Sequence, residues 1–270
     1  FDQMDKERNE EKAKVYLTVR DSNGQIVRKL TLPADQVGLQ RVSWNLRSAP
    51  KDPVSSGGDG FYNPFASVSE GPRVSPGTYT ATLSRWQNEK MTSLGEPVSF
   101  KVKSLDHQVL PATDQDAMVA FKRKAEEVQR VEQSLSGAVS AASGELSLIR
   151  KAINAMDQPD ETWLAKVIYF ETKFDSIERV ISGDPLAVQL DMDPTPSLAT
   201  RIGRVVGESK YSTSEPTETH KMSLAIAQKQ IAGLIPVVNK LIDQEFRPFM
   251  QELQAAGAPY VPGMLPAFKR

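Results

Sequence analysis

A change of apolar period constrains this chain more than any other feature. From Lys14 to Lys103 apolar residues recur at every second position, and after Leu110-Pro111 they recur every third or fourth. A period of two belongs to a strand with one buried face, and steps of three and four belong to an amphipathic helix. The sequence therefore predicts a β half followed by an α half, with the step near Leu105 to Pro111.

In the β half, Val15, Leu17 and Val19 share one face of a strand, as do Val42, Trp44 and Leu46, then Tyr79, Ala81 and Leu83, then Val98, Phe100 and Val102. Asp21-Ser22-Asn23-Gly24 reads as a tight turn into a strand at 25–30, because Asn-Gly accepts the positive φ a hairpin needs. Gln87-Asn88-Glu89-Lys90 reads as a second turn. Short strands at this spacing predict an antiparallel β-sandwich over 14–105. Its longest connection, residues 48–72, is SAPKDPVSSGGDGFYNPFASVSEGP, in which Gly, Ser and Pro surround Phe61, Tyr62 and Phe65.

The α half opens where Thr113 and Asp116 can cap a helix. Its first stripe is Met118, Phe121, Ala125, Val128, Val131, Leu135, Val139 and Ala142, extended by Leu146, Ile149, Ile153 and Met156. Asp157 to Pro159 stops that helix and starts the next, whose stripe is Trp163, Val167, Phe170, Phe174, Ile177 and Ile181. A shorter pattern passes through Leu198, Ile202 and Val205. The last long one carries Leu224, Ile231, Ile235, Val238, Ile242, Phe246, Phe249 and Leu253, with Pro236 and Pro248 expected to kink or end it and Gly257 to stop it. Three long helices and one short one over 112–257 are expected to bury their stripes as an antiparallel bundle, leaving a tail at 258–270.

Few side chains point to chemistry. Lys and Arg number 33 against 34 Asp and Glu, so the overall field attracts neither nucleic acid nor anionic lipid. The absence of cysteine removes disulfides, thiolate metal sites and cysteine nucleophiles. No apolar run approaches the roughly 18 residues that span a bilayer. The two histidines, His107 and His220, lie far apart, one reading as a linker residue and the other as an exposed residue of a first helical turn.

Acidic residues gather at Asp157, Asp160 and Glu161, and again at Asp184, Asp191 and Asp193, but without the oxygen spacing of an EF-hand. The first group surrounds a helix start, where carboxylates cap free N–H groups. Gly137 and Gly144 could mark close helix contact, and Lys122-Arg123-Lys124 reads as a solvated face. No catalytic, cofactor-binding or metal-binding residue is assigned. The only candidate contact residues are Phe61, Tyr62 and Phe65.

VYLTVRDSNGQIVRKL, GLQRVSWNLR and GPRVSPGTYTATL, in that order, resemble an immunoglobulin-like module related to the Ig-like domain of the flagellar hook-capping protein. Gly38, Trp44, Asn45, Pro76, Gly77 and Tyr79 occupy its motif positions, Asn45 standing where Asp is commoner. PSLATRIGRVVG, TSEPTETHKMSLAIAQKQI and ELQAAGAPYVPGMLP resemble the C-terminal region of bacterial sortilin-like repeat proteins, which place a large β-propeller before an Ig-like module and a helical tail. Such proteins are often labelled glycosyl hydrolases. Their propeller repeats have no counterpart here, so no catalytic residue carries over.

The resemblance implies a non-catalytic accessory region of an exported protein, periplasmic, outer-membrane-associated or extracellular, that packs on the propeller or contacts another protein. Residues 1–13 are then a linker from the upstream region. Two alternatives stand beside it: a carbohydrate- or peptide-binding module using the aromatics of 48–72, and part of a glycoside hydrolase whose active site lies in the propeller.

Overall fold

The computed structural model describes residues 12–35, 38–53, 70–105, 110 and 112–259. A five-stranded antiparallel sheet precedes a helical region. The strands are β1 Lys14–Arg20, β2 Ile26–Leu32, β3 Gly77–Gln87, β4 Lys90–Ser93 and β5 Val98–Val102. They lie in the order β2-β1-β3-β4, with β5 also paired to β3. The helices are α1 Gln115–Asn154, α2 Glu161–Ser182, α3 Pro185–Gln189, α4 Leu198–Tyr211, α5 Glu218–Asn239 and α6 Arg247–Ala255, with a π-helical segment, Lys240–Phe246, joining the last two. Two compact units result: the described parts of Phe1–Lys51, Gly57–Arg123 and Ser209–Pro216 make one, and those of Asp52–Ser56, Lys124–Glu208 and Thr217–Arg270 the other.

Register joins three of the expected apolar faces into one. Leu17 pairs with Leu83, Val19 with Ala81, Ala81 with Val98 and Tyr79 with Phe100, and directly opposed residues point to the same side of a sheet. Both expected turns form. Asp21 Oδ1 accepts from the N–H groups of Asn23 and Gln25, each at 2.9 Å, while Gly24 takes the positive φ of 77°. At the second turn Asn88 and Glu89 both have positive φ, as a two-residue type I′ hairpin requires.

The expected strand through Val42, Trp44 and Leu46 does not form. Trp44 Nε1 donates to the Arg47 carbonyl at 2.8 Å, and Leu46 sits at φ 59°, outside the range of a strand. Only an isolated bridge, Arg47 to Arg73, remains there. This irregular segment still supplies core: Trp44 meets Tyr79 and Phe100 edge-on at 5.7 and 6.0 Å, beside buried Val19, Val27 and Val74.

The helical stripes follow the sequence at most positions, with Lys122 and Leu241 buried where Phe121 and Ile242 were expected, and two further departures are informative. The buried positions of α1 include Ala125, Val128, Glu132, Leu135, Val139, Ala142, Leu146, Ile149 and Ile153, so the seam passes through Glu132 and not through Val131. Geometry outranks hydropathy there, because 132 continues the alternating steps of three and four and 131 does not. Glu132 is 7% exposed, and burial pushes its carboxyl above the ordinary value.

The native state therefore holds that proton more tightly than the unfolded chain. The associated stability is full below the ordinary carboxylate value and is lost as pH rises through the raised folded value. Glu132→Gln is expected to flatten this fall and to add about 1–2 kcal/mol at pH 7. Thermal melts of both proteins from pH 4 to 8 measure it, and parallel curves would refute it.

The second departure concerns Gly137 and Gly144. Both are exposed, and a Cβ at either would meet nothing within 4 Å, so they do not mark close packing. Gly137→Ala and Gly144→Ala should each stabilise α1 by about 0.5–1 kcal/mol, read as a rise in urea midpoint at unchanged slope.

The C-terminal prolines are accommodated differently from each other. Pro236 lies inside α5, whereas Pro248 stands at the second position of α6, directly after the π-helical segment. Just before it the backbone widens into the π-helical turn, in which the Arg247 N–H reaches the Ile242 carbonyl. The chain runs on to Ala255 without leaving helical geometry.

Candidate functional site

Phe61, Tyr62 and Phe65, as well as His107, lie outside the described residues. The flanks of the 48–72 connection are well defined. Ser48 N–H donates to Pro72 O at 3.0 Å, Gly71 N–H to Ser48 O at 3.2 Å, and Val74 N–H to Leu46 O at 2.9 Å. A Cβ on Gly71 would stand 2.7 Å from the Ala49 carbonyl oxygen, so only glycine lets the two flanks approach this closely.

At these flanks Asn45 donates its amide to Glu70, whose other oxygen lies 3.4 Å from Arg47 Nε. Asp at 45 would set two carboxylates side by side and remove the donor. Asn45→Asp is expected to cost about 1 kcal/mol at neutral pH and almost nothing once both acids are protonated. Melting temperatures at pH 7 and pH 3 test this, and an equal loss at both would contradict it.

Two buried cations organise the same unit. Arg47, 5% exposed, donates to the carbonyls of Gly71 at 3.1 Å and Lys210 at 3.4 Å, and its guanidinium lies 5.0 Å from the Tyr211 ring centre. Lys122, 4% exposed, donates to the Ser212 carbonyl. The reading of Lys122 as part of a solvated face is thus overturned. It occupies the inward side of α1 together with Met118 and Val119, two residues from exposed Lys124. Burial first, then neighbouring Arg47 and Arg73, hold its ammonium below the ordinary lysine range. With Ala112 N–H to Thr213 O at 3.1 Å and Thr113 N–H to Glu215 at 3.0 Å, the cations clasp residues 209–216 to the sheet unit.

In the helical unit α2 and the C-terminal helix pair antiparallel through an aromatic seam. Phe170 contacts Phe249 at 5.6 Å and Phe246 at 5.3 Å, and Phe174 contacts Phe246 at 5.5 Å. At its edge lies a groove of about 350 Å³ lined by Lys166, Tyr169, Pro248, Phe249, Glu245 and Glu252. Its polar groups are paired with one another. Glu252 accepts from Trp163 Nε1 at 3.0 Å and Lys166 Nζ at 2.6 Å, and Lys166 first, then Trp163, keeps its carboxyl below the usual range. Glu245 accepts from the Tyr169 hydroxyl at 2.9 Å and thereby raises the phenol.

A larger open cleft, about 680 Å³, lies between the end of α2 and the start of α4. Its walls carry Asp175, Glu178, Asp184 and Asp193 with Arg179 and Arg204. Asp160 and Asp184 cap α2 and α3, accepting from Thr162 N–H at 2.8 Å and Leu186 N–H at 2.9 Å. Arg179 lies between Asp175 at 2.9 Å and Asp184 at 3.0 Å. His220, expected to be exposed, is half-buried instead. Its Nε2 is 2.7 Å from Glu208, and the Thr217 hydroxyl accepts from its backbone N–H at 3.2 Å.

Sequence reasoning missed Arg47, Lys122 and Glu252 because each is a charged residue whose burial or pairing depends on a distant segment, and Glu132 because its charge hid a position that the register of α1 marks. No group of three or more metal-ligating side chains is placed to hold an ion among the described residues. No protein-family model, curated protein or solved structure matches the chain.

Proposed function

We propose that the chain is a non-catalytic accessory region of a larger exported protein, an Ig-like sandwich followed by a helical bundle, that works through protein contacts and has an upstream β-propeller as its first partner. What carries this reading is the use made of the motif residues: they hold the module together. Tyr79, at the start of β3, donates its hydroxyl to the Ser75 carbonyl at 2.6 Å, the device of the tyrosine corner in Ig-like sandwiches. Trp44 packs on Tyr79 and Phe100 and binds the Arg47 carbonyl. Asn45 holds Glu70.

The helical unit is consistent with the same role. The carboxylates of its aromatic groove answer to Trp163, Lys166 and Tyr169, which is how a helix seam is latched. In this reading the sheet is one layer of the sandwich, and the antiparallel pairing of α2 with the C-terminal helix is one seam of the bundle.

The test has two arms. The propeller, expressed as a separate polypeptide, is expected to bind the intact chain at micromolar concentration, and a propeller that stays unbound would refute the reading. The intact chain is expected to leave a panel of aryl glycosides unchanged. Turnover abolished by a single carboxylate substitution would place catalysis in this chain.

A further inference from the structure

The stretch after α2 leaves an apolar ridge in water. Leu186, Val188, Leu190 and Met192 are 54%, 69%, 62% and 61% exposed, although they belong to a folded turn. Asp184 caps α3, Leu190 N–H returns to Leu186 O at 3.0 Å, and Met192 N–H returns to Ala187 O at 3.0 Å. Ala187 faces inward and is buried. The fold thus turns the smallest of the five side chains inward and presents the four large ones. Clustered exposure of this kind marks a contact surface more often than scattered single residues do.

Val188 also lines the 680 Å³ cleft, which joins the ridge to a charged wall. Within the cleft Arg179 is held by Asp175 and Asp184, and Arg204 lies 4.0 Å from Glu208. Glu178 and Asp193 have no cation within ion-pair distance among the described residues, and exposed Asp191 adds a third carboxylate beside Leu190 and Met192. The surface is therefore apolar along one border and acidic along the other. An anionic bilayer is repelled by that wall, whereas a polypeptide that alternates apolar and basic side chains matches both borders.

Resting on the reading that this chain works through protein contacts, we infer that the ridge of Leu186, Val188, Leu190 and Met192, with the cleft of Glu178 and Asp193, is a docking surface for a basic amphipathic segment of a partner protein. The partner's apolar side chains cover the ridge, and its lysine or arginine enters the cleft. Burial of the ridge supplies most of the affinity, and the carboxylates select the sign of the partner's charge.

The experiment titrates the intact chain with a short amphipathic leucine–lysine peptide and with its leucine–glutamate counterpart of equal apolar content. The basic peptide is expected to bind at least about tenfold more tightly and to weaken as salt is raised. Glu178→Gln combined with Asp193→Asn should remove about tenfold of that preference, and Val188→Ser combined with Leu190→Ser should weaken both peptides. All four positions are exposed, and circular dichroism identical to the parent's confirms that the fold is kept.

Equal affinity for the two peptides, or full binding of the basic peptide by either double variant, overturns the inference. So does adsorption of the chain to phosphatidylcholine–phosphatidylserine vesicles that the ridge variant abolishes. If the separate propeller binds while the peptides are not distinguished, the accessory role stands and this surface falls. If the peptides are distinguished while the propeller stays unbound, the surface stands and the propeller partnership falls.

Discussion

Arg47→Ala is expected to destabilise the sheet unit by about 2–4 kcal/mol, the range for leaving two buried acceptors without their donor. The guanidinium is 5% exposed and serves the Gly71 carbonyl, the Lys210 carbonyl and the Glu70 carboxylate together. Alanine leaves these acceptors without their donor. The Glu70 pairing is partly screened, since that side chain is 29% exposed, so most of the loss comes from the two carbonyls and from lost packing against Tyr211.

Arg47→Lys keeps the charge but not the fork, and should recover less than half of the loss. Lys122→Met makes the contrast. It removes one hydrogen bond to Ser212 but also a desolvated ammonium, so its net effect should stay within about 1 kcal/mol. Urea unfolding followed by tryptophan fluorescence measures all three. A cost for Arg47→Ala below about 1 kcal/mol would show that the clasp is incidental.

Phe246→Ala should cost the helical unit about 3–5 kcal/mol. Phe246 is buried at the end of the π-helical segment and meets both Phe170 and Phe174 across the seam with α2. Removing the ring takes away two edge-to-face contacts and opens a cavity between elements that the widened turn holds in place. Phe246→Leu, which fills much of that volume, should lose about 1–1.5 kcal/mol. Near-ultraviolet dichroism and urea midpoints report both, and a Phe246→Ala protein melting with the parent would show that the seam contributes little.

The stretches that were legible in the sequence are those whose structure depends on near neighbours. The run from Trp163 to Ile181 places its apolar residues at helical steps, and the same six are buried in α2. Asp21 to Gly24 contains both the carboxylate that accepts the turn's N–H groups and the glycine that takes positive φ. Where the reading failed, a distant partner decided. Val42, Trp44 and Leu46 alternate like a strand, yet the backbone folds out of it because Trp44 packs on Tyr79 and Phe100, residues from two other strands. Lys122 sits in a basic run that looks solvated until the Ser212 carbonyl arrives from the far end of α4.

Alone, the sequence determined where strands give way to helices, most of each helical stripe and the cap at Asp160, because periodicity and capping act within a few residues along the chain. The cap of α1 fell instead to Asp114, which accepts from Ala117 N–H at 2.8 Å, and not to Thr113 or Asp116. Tertiary structure decided which charges are buried, that the Trp44 segment would cover the sheet without joining it, and that Leu186, Val188, Leu190 and Met192 would stand in water beside the cleft of Glu178 and Asp193. Burial is a property of what arrives from elsewhere in the chain. Nothing local to Arg47 or Leu190 records it, whereas Glu132 is marked by the register of α1 alone.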